Sequence, residues 1–207
     1  MIMKLDHVAF SCSRAELPTI LERRFASYKQ VFYEKDLPNI VAKRMFLDDE
    51  NVSSHDIMLL RGGTPVEVTA YDKVMGTAKY DMDGETIIAY TGNLVESAGF
   101  YCSIGFKQLA GDDFYVHTLM DSVPFKMRLV PKERHGKCKL DNRGFCCIAL
   151  ITNNVEKEKK RLEAKSVMTT DIGSLTVNGK LLNIFFAYNS FGDVMEFIQP
   201  YNRRNDL

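Results

Sequence analysis

The chain has 207 residues, with 27 basic residues balanced by 27 acidic ones, and 45% of its residues are hydrophobic. This length suits one large domain or two small ones, and the composition is that of an ordinary globular protein. A net charge of zero argues against a nucleic-acid binder, which usually carries a basic excess. We expect no membrane span and no signal peptide, because long apolar runs are missing. Five irregularly spaced cysteines do not resemble a disulfide framework, so we expect reduced thiols in a cytoplasm.

Three segments of the chain share one pattern, in which an apolar strand is followed by a helix start. Each start has a polar cap with a glutamate three residues later, and the pairs are Ser13 with Glu16, Asn93 with Glu96, and Asn153 with Glu156. Such pairs satisfy the free backbone N–H groups at the beginning of a helix. The caps lie six residues after three strand positions: His7, Ile87 and Cys147. The chain therefore contains a repeat.

Each predicted helix is followed by about three short runs rich in β-branched and aromatic residues, which indicate strands. The sequence thus predicts an α+β fold made of three βαβββ modules. The predicted divisions are a single module over residues 1–75, a linker over 76–85, a two-module domain over 86–201 and a tail over 202–207.

Motifs in residues 86–201 resemble those of the glyoxalase, or vicinal oxygen chelate, superfamily. Asn93–Phe106 (NLVESAGFYCSIGF) is similar to the first helix of that family, and Asn189–Gln199 (NSFGDVMEFIQ) is similar to its final hairpin. Residues 4–72 resemble one more module. The resemblance implies that two modules pair edge to edge into a cupped sheet. It does not define the reaction, because the family includes isomerases, lyases, dioxygenases, epimerases, thiol transferases and drug-sequestering proteins.

The resemblance also implies positions for metal ligands, which come from the first and last strands of each module and are typically His and Glu. In residues 86–201 these positions fall on Ile87, Arg128, Cys147 and Glu196, and Glu196 alone is a usual ligand type. We therefore expect this cup to bind a small organic molecule without a catalytic metal. The residues expected to contact that molecule are Tyr90, Phe114, His117, Phe125, Arg128, Cys147, Phe185, Tyr188 and Glu196.

The first module keeps both ligand types, because His7 and Glu67 occupy its two ligand positions. Two chains that join their first modules about a twofold axis would combine two such pairs into a site for Zn²⁺, Ni²⁺, Mn²⁺ or Fe²⁺. This arrangement predicts a homodimer. Alternatively, the first module pairs with the third and brings His7 and Glu67 to Cys147 and Glu196, although chain order favours the first arrangement.

Three functional hypotheses follow from the sequence. The leading hypothesis is a protein that binds a small organic molecule in the 86–201 cup. The first alternative is a metal-dependent lyase, isomerase or dioxygenase whose site is built from His7 and Glu67 across a dimer. The second is a non-catalytic interaction protein whose cups are packed shut. The identity of the ligand stays open.

Overall fold

The computed structural model describes residues 2–48, 51–77, 79–109, 113–116, 125–132 and 139–201. Fifteen strands and four helices are assigned within these ranges, and the strands join into one large mixed sheet. In the same ranges, no helix has both the length and the apolar character needed to cross a membrane.

The first module keeps the predicted order of strand, helix and strands, with a short second helix inserted. Its elements are β1 (Ile2–Ser13), α1 (Leu17–Arg24), β2 (Lys29–Pro38), α2 (Val41–Arg44), β3 (Ser54–Arg61) and β4 (Val66–Tyr71). Ser13 and Glu16 exchange the predicted hydrogen bonds: the Ser13 N–H donates to Glu16 Oε2 at 3.2 Å, and the Glu16 N–H donates to Ser13 Oγ at 3.3 Å. The helix begins only at Leu17, where Pro18 fits the first turn because it has no N–H to donate.

The second module follows directly. Its elements are β5 (Met75–Thr77), β6 (Tyr80–Asp83), β7 (Thr86–Thr91), α3 (Leu94–Ile104), β8 (Lys107–Gln108), β9 (Asp113–Val116) and β10 (Phe125–Pro131). Asn93 caps α3 as predicted, since its side chain accepts a hydrogen bond from the Glu96 N–H at 3.2 Å. Residues 76–85 are not a free linker, because β6 pairs with β7 along its length.

The third module contains β11 (Asn142–Thr152), α4 (Val155–Glu163), β12 (Met168–Thr169), β13 (Gly173–Val177), β14 (Lys180–Tyr188) and β15 (Val194–Pro200). Its helix is capped one residue later than predicted. Asn154, not Asn153, accepts a hydrogen bond from the Lys157 N–H at 2.7 Å. The predicted six-residue spacing from strand to cap therefore does not hold in this module.

The pairing of the modules differs from the sequence-based prediction. β1 of the first module runs antiparallel to β11 of the third, with Val8 opposite Ile148. β4 flanks β1 and β15 flanks β11, both in parallel, so the first and third modules form one continuous cupped sheet. The prediction of a cup within 86–201 was wrong. Each of the two strands has an apolar centre, residues 8–10 in β1 and 145–150 in β11, and Val8 and Ile148 become fully buried where the strands meet.

The second module is attached beside this cup. β6 contacts β11 where Tyr80 lies opposite Phe145, and β7 pairs in parallel with β10. The chain between β4 and β11 therefore forms the whole second module, and β11 still pairs with β1. Chain order did not decide the pairing, because this intervening stretch is long enough to reach back.

The sheet of the paired modules buries both faces, and alternate residues of each strand belong to different clusters. On one face Phe185 is fully buried with the helices and stacks on Phe197, with ring centroids 4.8 Å apart. On the other face Phe186 packs with α2 and the cup-facing residues, and its ring centroid lies 5.4 Å from that of Phe46. Residues of this second face, including Phe186, line a cavity.

Candidate functional site

A cavity of about 330 Å³ lies between the first and third modules. This volume is at the lower end of the range for sites that hold small organic molecules. Both modules contribute apolar walls, including Phe32, Ile57, Leu175, Ile184 and Phe186. The prediction that cups are packed shut does not hold for this one.

The floor of the cavity is built from two adjacent rows of residues that cross the four central strands. One row contains Glu67, Ala9 and Cys147, and the neighbouring row contains His7, Ala149 and Glu196. The alanines are buried on the two central strands and leave open space above them. Long side chains on either side of each alanine can therefore converge over the middle of the floor.

Three of these side chains meet at one ring nitrogen. His7 Nε2 lies 3.5 Å from Glu67 Oε2 and 3.9 Å from Glu196 Oε2. Both distances exceed an ordinary hydrogen bond, so the carboxylates face the nitrogen without binding it. Two residues from one module and one from the other thus surround a common point.

Asp6 orients His7. Its Oδ2 lies 3.0 Å from Nδ1 of the His7 ring, so Nδ1–H donates to the carboxylate and Nε2 faces the two glutamates. Nε2 is buried and has no hydrogen-bond partner among the described residues. A buried polar atom without a partner is costly, and such an atom beside a cavity is available to a ligand or ion.

The charged side chains on the floor of the cavity shift one another's pKa values. Burial by itself would lower the pKa of His7, but Glu67, Asp6 and Glu196 outweigh it and raise that pKa to about 9. Burial raises the pKa of Glu196 to about 7. A proton is therefore held strongly at the place where the three side chains meet, and a metal ion would compete with it for the same atoms.

The donor set fits a divalent ion, although the side chains do not yet enclose one. Across the described residues, no group of three or more His, Cys, Asp or Glu side chains is placed so that it could hold a metal as it stands. Donor atoms at right angles around an ion, with bonds of about 2.1 Å, are about 3 Å apart. Glu67 and Glu196 would each have to approach Nε2 by less than about 1 Å, which side-chain rotation can provide.

Cys147 occupies the fourth ligand position but is a poor candidate. Its Sγ is buried and lies 3.8 Å from the carbonyl oxygen of Val194. Burial raises the pKa of the Cys147 thiol well above its usual value, which disfavours the thiolate that binds metals.

Two polar residues of the cup were missed by the sequence analysis. α2 carries Lys43 into the cavity, where its Nζ lies 3.1 Å from His55 Nε2. His55 lies in β3 and is 1% exposed. A usable signal was present: His55, Ile57, Leu59 and Arg61 alternate along β3, and all four line the cavity.

The first-strand ligand position that the sequence analysis assigned to the second module is one residue too far along the chain. In the outer modules, the carboxylates Glu67 and Glu196 lie opposite Ala9 and Ala149, and the first-strand ligand position is two residues before each alanine. In the second module, Arg128 lies opposite Ile88 on β7. The equivalent residue is therefore Thr86, not Ile87, which is fully buried on the other face. A one-residue slip moves a side chain to the opposite face of a strand.

The other residues predicted to bind a ligand do not gather around Glu196. Arg128 is exposed on β10, and the half-buried ring of Tyr90 lies 4.5 Å from Lys132 Nζ. Phe185 is buried on the helix side, and Tyr188 packs edge-on to Phe46. Phe114 lies in β9 and Phe125 in β10, both in the second module, and His117 lies outside the described residues. Glu196, His7 and Glu67 are the predicted site residues that line the main cavity.

Comparison with known proteins finds no matching family profile and no matching curated protein. Similar solved structures include methylmalonyl-CoA epimerase from Mycobacterium tuberculosis, with 12% identity, a TM-score of 0.45, and coverage of 100% of this chain and 93% of that one. A candidate dioxygenase from Bacillus subtilis matches with 11% identity, a TM-score of 0.43 and 97% coverage, and this chain spans 64% of its length. Glyoxalase I from Zea mays matches with 12% identity, a TM-score of 0.39, and coverage of 96% and 68%.

At these identities the likeness concerns the fold and carries no argument about activity. The strand pairing itself defines the class: an α+β protein of βαβββ modules, two of which pair into a cup. A cupped sheet of paired βαβββ modules is the arrangement that the resemblance of the sequence motifs implied, although the modules that pair are the first and the third.

Proposed function

We propose that the chain binds a small organic molecule in the cup between its first and third modules, and that His7, Glu67 and Glu196 hold a divalent metal ion at the floor. The orphaned Nε2 of His7 carries the proposal. This nitrogen is buried, is oriented by Asp6 and faces two carboxylates at the base of a cavity. One imidazole and two carboxylates leave positions open for oxygen atoms of a substrate.

The sequence-based expectation of a metal-free cup rested on Ile87 and Arg128, and neither residue lines the cavity that forms. In the cup between the outer modules, three of four ligand positions carry His or Glu. This donor set suits Zn²⁺, Mn²⁺, Fe²⁺ or Ni²⁺. When bound, such an ion supplies Lewis-acid polarisation of a substrate oxygen.

The residues around the floor have distinct roles in this proposal. Asp6 holds the His7 ring in place, and Glu67 and Glu196 provide the negative charge that compensates the ion. The apolar walls exclude water from the floor and strengthen charge interactions there. The reaction class proposed is that of a metal-dependent lyase, isomerase or dioxygenase.

The first prediction tests the ion directly. Protein purified without chelators, or recharged with Mn²⁺ or Zn²⁺ after removal of metal, should carry about one ion per chain by elemental analysis. His7→Ala and Glu196→Gln should each reduce the bound metal to background, because each removes a donor from a three-residue site. Glu85→Gln, in the exposed turn between β6 and β7, is the matched control and should keep the metal.

Thermal unfolding of each variant shows whether the fold is intact, so loss of metal is not mistaken for loss of structure. Equal, near-background metal in the wild type and in His7→Ala after recharging would contradict the metal site. Small-molecule binding in the cup would then have to be explained by the protein side chains alone.

A further inference from the structure

The structure buries two lysine amines in different surroundings. Lys79 is 2% exposed, and its Nζ lies 2.5 Å from Asp193 Oδ1 in a closed ion pair. Lys43 is partly buried, lines the cavity, and has the neutral ring of His55 as its neighbour at 3.1 Å. Within the described residues Lys43 forms no ion pair. At Lys43, burial disfavours the ammonium while Glu67 and Glu196 favour it, and burial has the larger effect on the pKa.

The surroundings of His55 show which proton arrangement this pair prefers. Burial lowers the pKa of His55, so its ring stays neutral. His55 Nδ1 is also buried and has no hydrogen-bond partner among the described residues. If Lys43 is an ammonium, it donates to Nε2, and Nδ1 must then carry a buried N–H with no acceptor. If Lys43 is a free amine, Nε2–H donates to its lone pair and Nδ1 keeps only a lone pair.

The arrangement with Lys43 as a free amine has the lower free-energy cost, because it leaves a buried acceptor without a partner and not a buried N–H group. Buried N–H groups without a partner are the rarer of the two in proteins. Burial in the cup acts in the same direction and lowers the pKa of Lys43. The amine also packs over the face of Tyr71, with Nζ 5.5 Å from the ring centroid, which fixes the direction of the side chain. Lys43 is thus an oriented amine at the edge of an apolar cavity.

We propose that Lys43 is a nucleophile that forms a Schiff base with an aldehyde or ketone bound in the cup. The Nζ lone pair leaves the Nε2–H of His55 and attacks the carbonyl carbon, and a proton passes from the amine to the carbonyl oxygen, which gives a carbinolamine. Loss of that oxygen as water then leaves a C=N bond, so amine and carbonyl compound are converted to imine and water without an oxidant or reductant. Desolvated lysines act in this way on carbonyl substrates.

The mouth of the cavity indicates what else the carbonyl compound carries. Lys4 and Arg61 from the first module and Lys180 from the third line the cavity and reach solvent to different extents. Cations from both modules at the entrance attract an anionic group, while the walls take up an apolar body. The ligand class is therefore an apolar aldehyde or ketone with a carboxylate.

The experiment uses 4-formylbenzoate as the probe, with cyanoborohydride to reduce any imine to a stable secondary amine, followed by peptide mass mapping. The Lys43 peptide of the wild-type protein should be modified at low probe concentration, well above exposed Lys157 and buried Lys79. Benzaldehyde, which has no carboxylate, should label Lys43 several-fold less. Lys43→Arg keeps a long basic side chain in the cup but removes the amine nucleophile, and it should abolish this labelling without changing that of Lys157.

Peptide mass mapping of the wild-type protein alone tests whether Lys43 is the reactive amine, even if Lys43→Arg folds poorly. Labelling of Lys43 no greater than that of Lys157 would overturn the proposal, and equal labelling by benzaldehyde would overturn the carboxylate requirement. The inference rests on the cup as the binding site but not on the metal. The labelling is therefore repeated after chelation: a protein that binds no metal but labels at Lys43 refutes the proposed ion alone, and the reverse result refutes the nucleophile alone.

Discussion

At the scale of single residues, Asp56, the neighbour of His55 on β3, is a buried carboxylate held by several hydrogen bonds. Its Oδ1 accepts hydrogen bonds from the Asp36 N–H at 3.0 Å and from Arg14 Nη2 at 3.0 Å, and its Oδ2 accepts one from the Tyr33 hydroxyl at 2.9 Å. Burial alone would raise the pKa of Asp56, but these bonds outweigh it and lower the pKa below 3.8. Asp56 thus ties the end of β3 to β1 and β2 beside the cup.

Asp56→Asn should lower the free energy of unfolding at neutral pH by about 2 kcal/mol, because hydrogen bonds to a charged acceptor are lost. A depressed carboxyl pKa stabilises the fold above the unfolded-state value and loses that effect as pH falls through the folded-state value. The difference between wild type and variant should therefore shrink towards about pH 3. Urea unfolding at both pH values measures it.

Asp72→Asn is the matched control, since Asp72 also pairs with Arg14 but is 78% exposed. Exposed pairs of this kind contribute about 0–1 kcal/mol, so this variant should behave much like the wild type. A loss for Asp56→Asn that stays constant down to pH 3 would contradict the assigned cause.

At the scale of elements, helix starts show how local chemistry defines structure. α4 begins where Asn154 supplies an acceptor for the Lys157 N–H, and it places buried Leu162 against the sheet. The cap matters because the first N–H groups of a helix have no partner within the helix.

Asn154→Ala should lower the free energy of unfolding by about 1 kcal/mol, because it removes the cap. Asn154→Asp keeps an acceptor at the same place and should change the stability by less than about 0.5 kcal/mol. Thermal or urea unfolding of the two variants checks this. Equal losses in both would show that Asn154 acts through some other contact than its bond to the Lys157 N–H.

At the scale of the whole molecule, the pairing of the outer modules completes the floor of the cup within one chain. His7 and Glu67 meet Glu196 of the same chain, so the site no longer requires a second copy. The homodimer stays a prediction, but its original reason, an unpaired first module, does not apply.

Metal content should therefore be about one ion per chain and should not depend on protein concentration over a range that includes any dissociation of oligomers. Elemental analysis combined with sedimentation at several concentrations measures both quantities. A ratio of about one ion per two chains, lost on dilution, would instead support a site shared across a twofold axis.

The sequence by itself determined the α+β class, the three βαβββ modules, the cap of α3 and the candidate ligands His7, Glu67 and Glu196. These features depend on short-range patterns, namely strand alternation, capping residues and family motifs. Tertiary structure alone decided that β1 meets β11, that Lys43 enters the cup, and that Arg128 faces solvent. The pairing of strand edges depends on apolar surface that is buried between residues far apart in the chain. Local sequence patterns contain almost no information about which edges will pair.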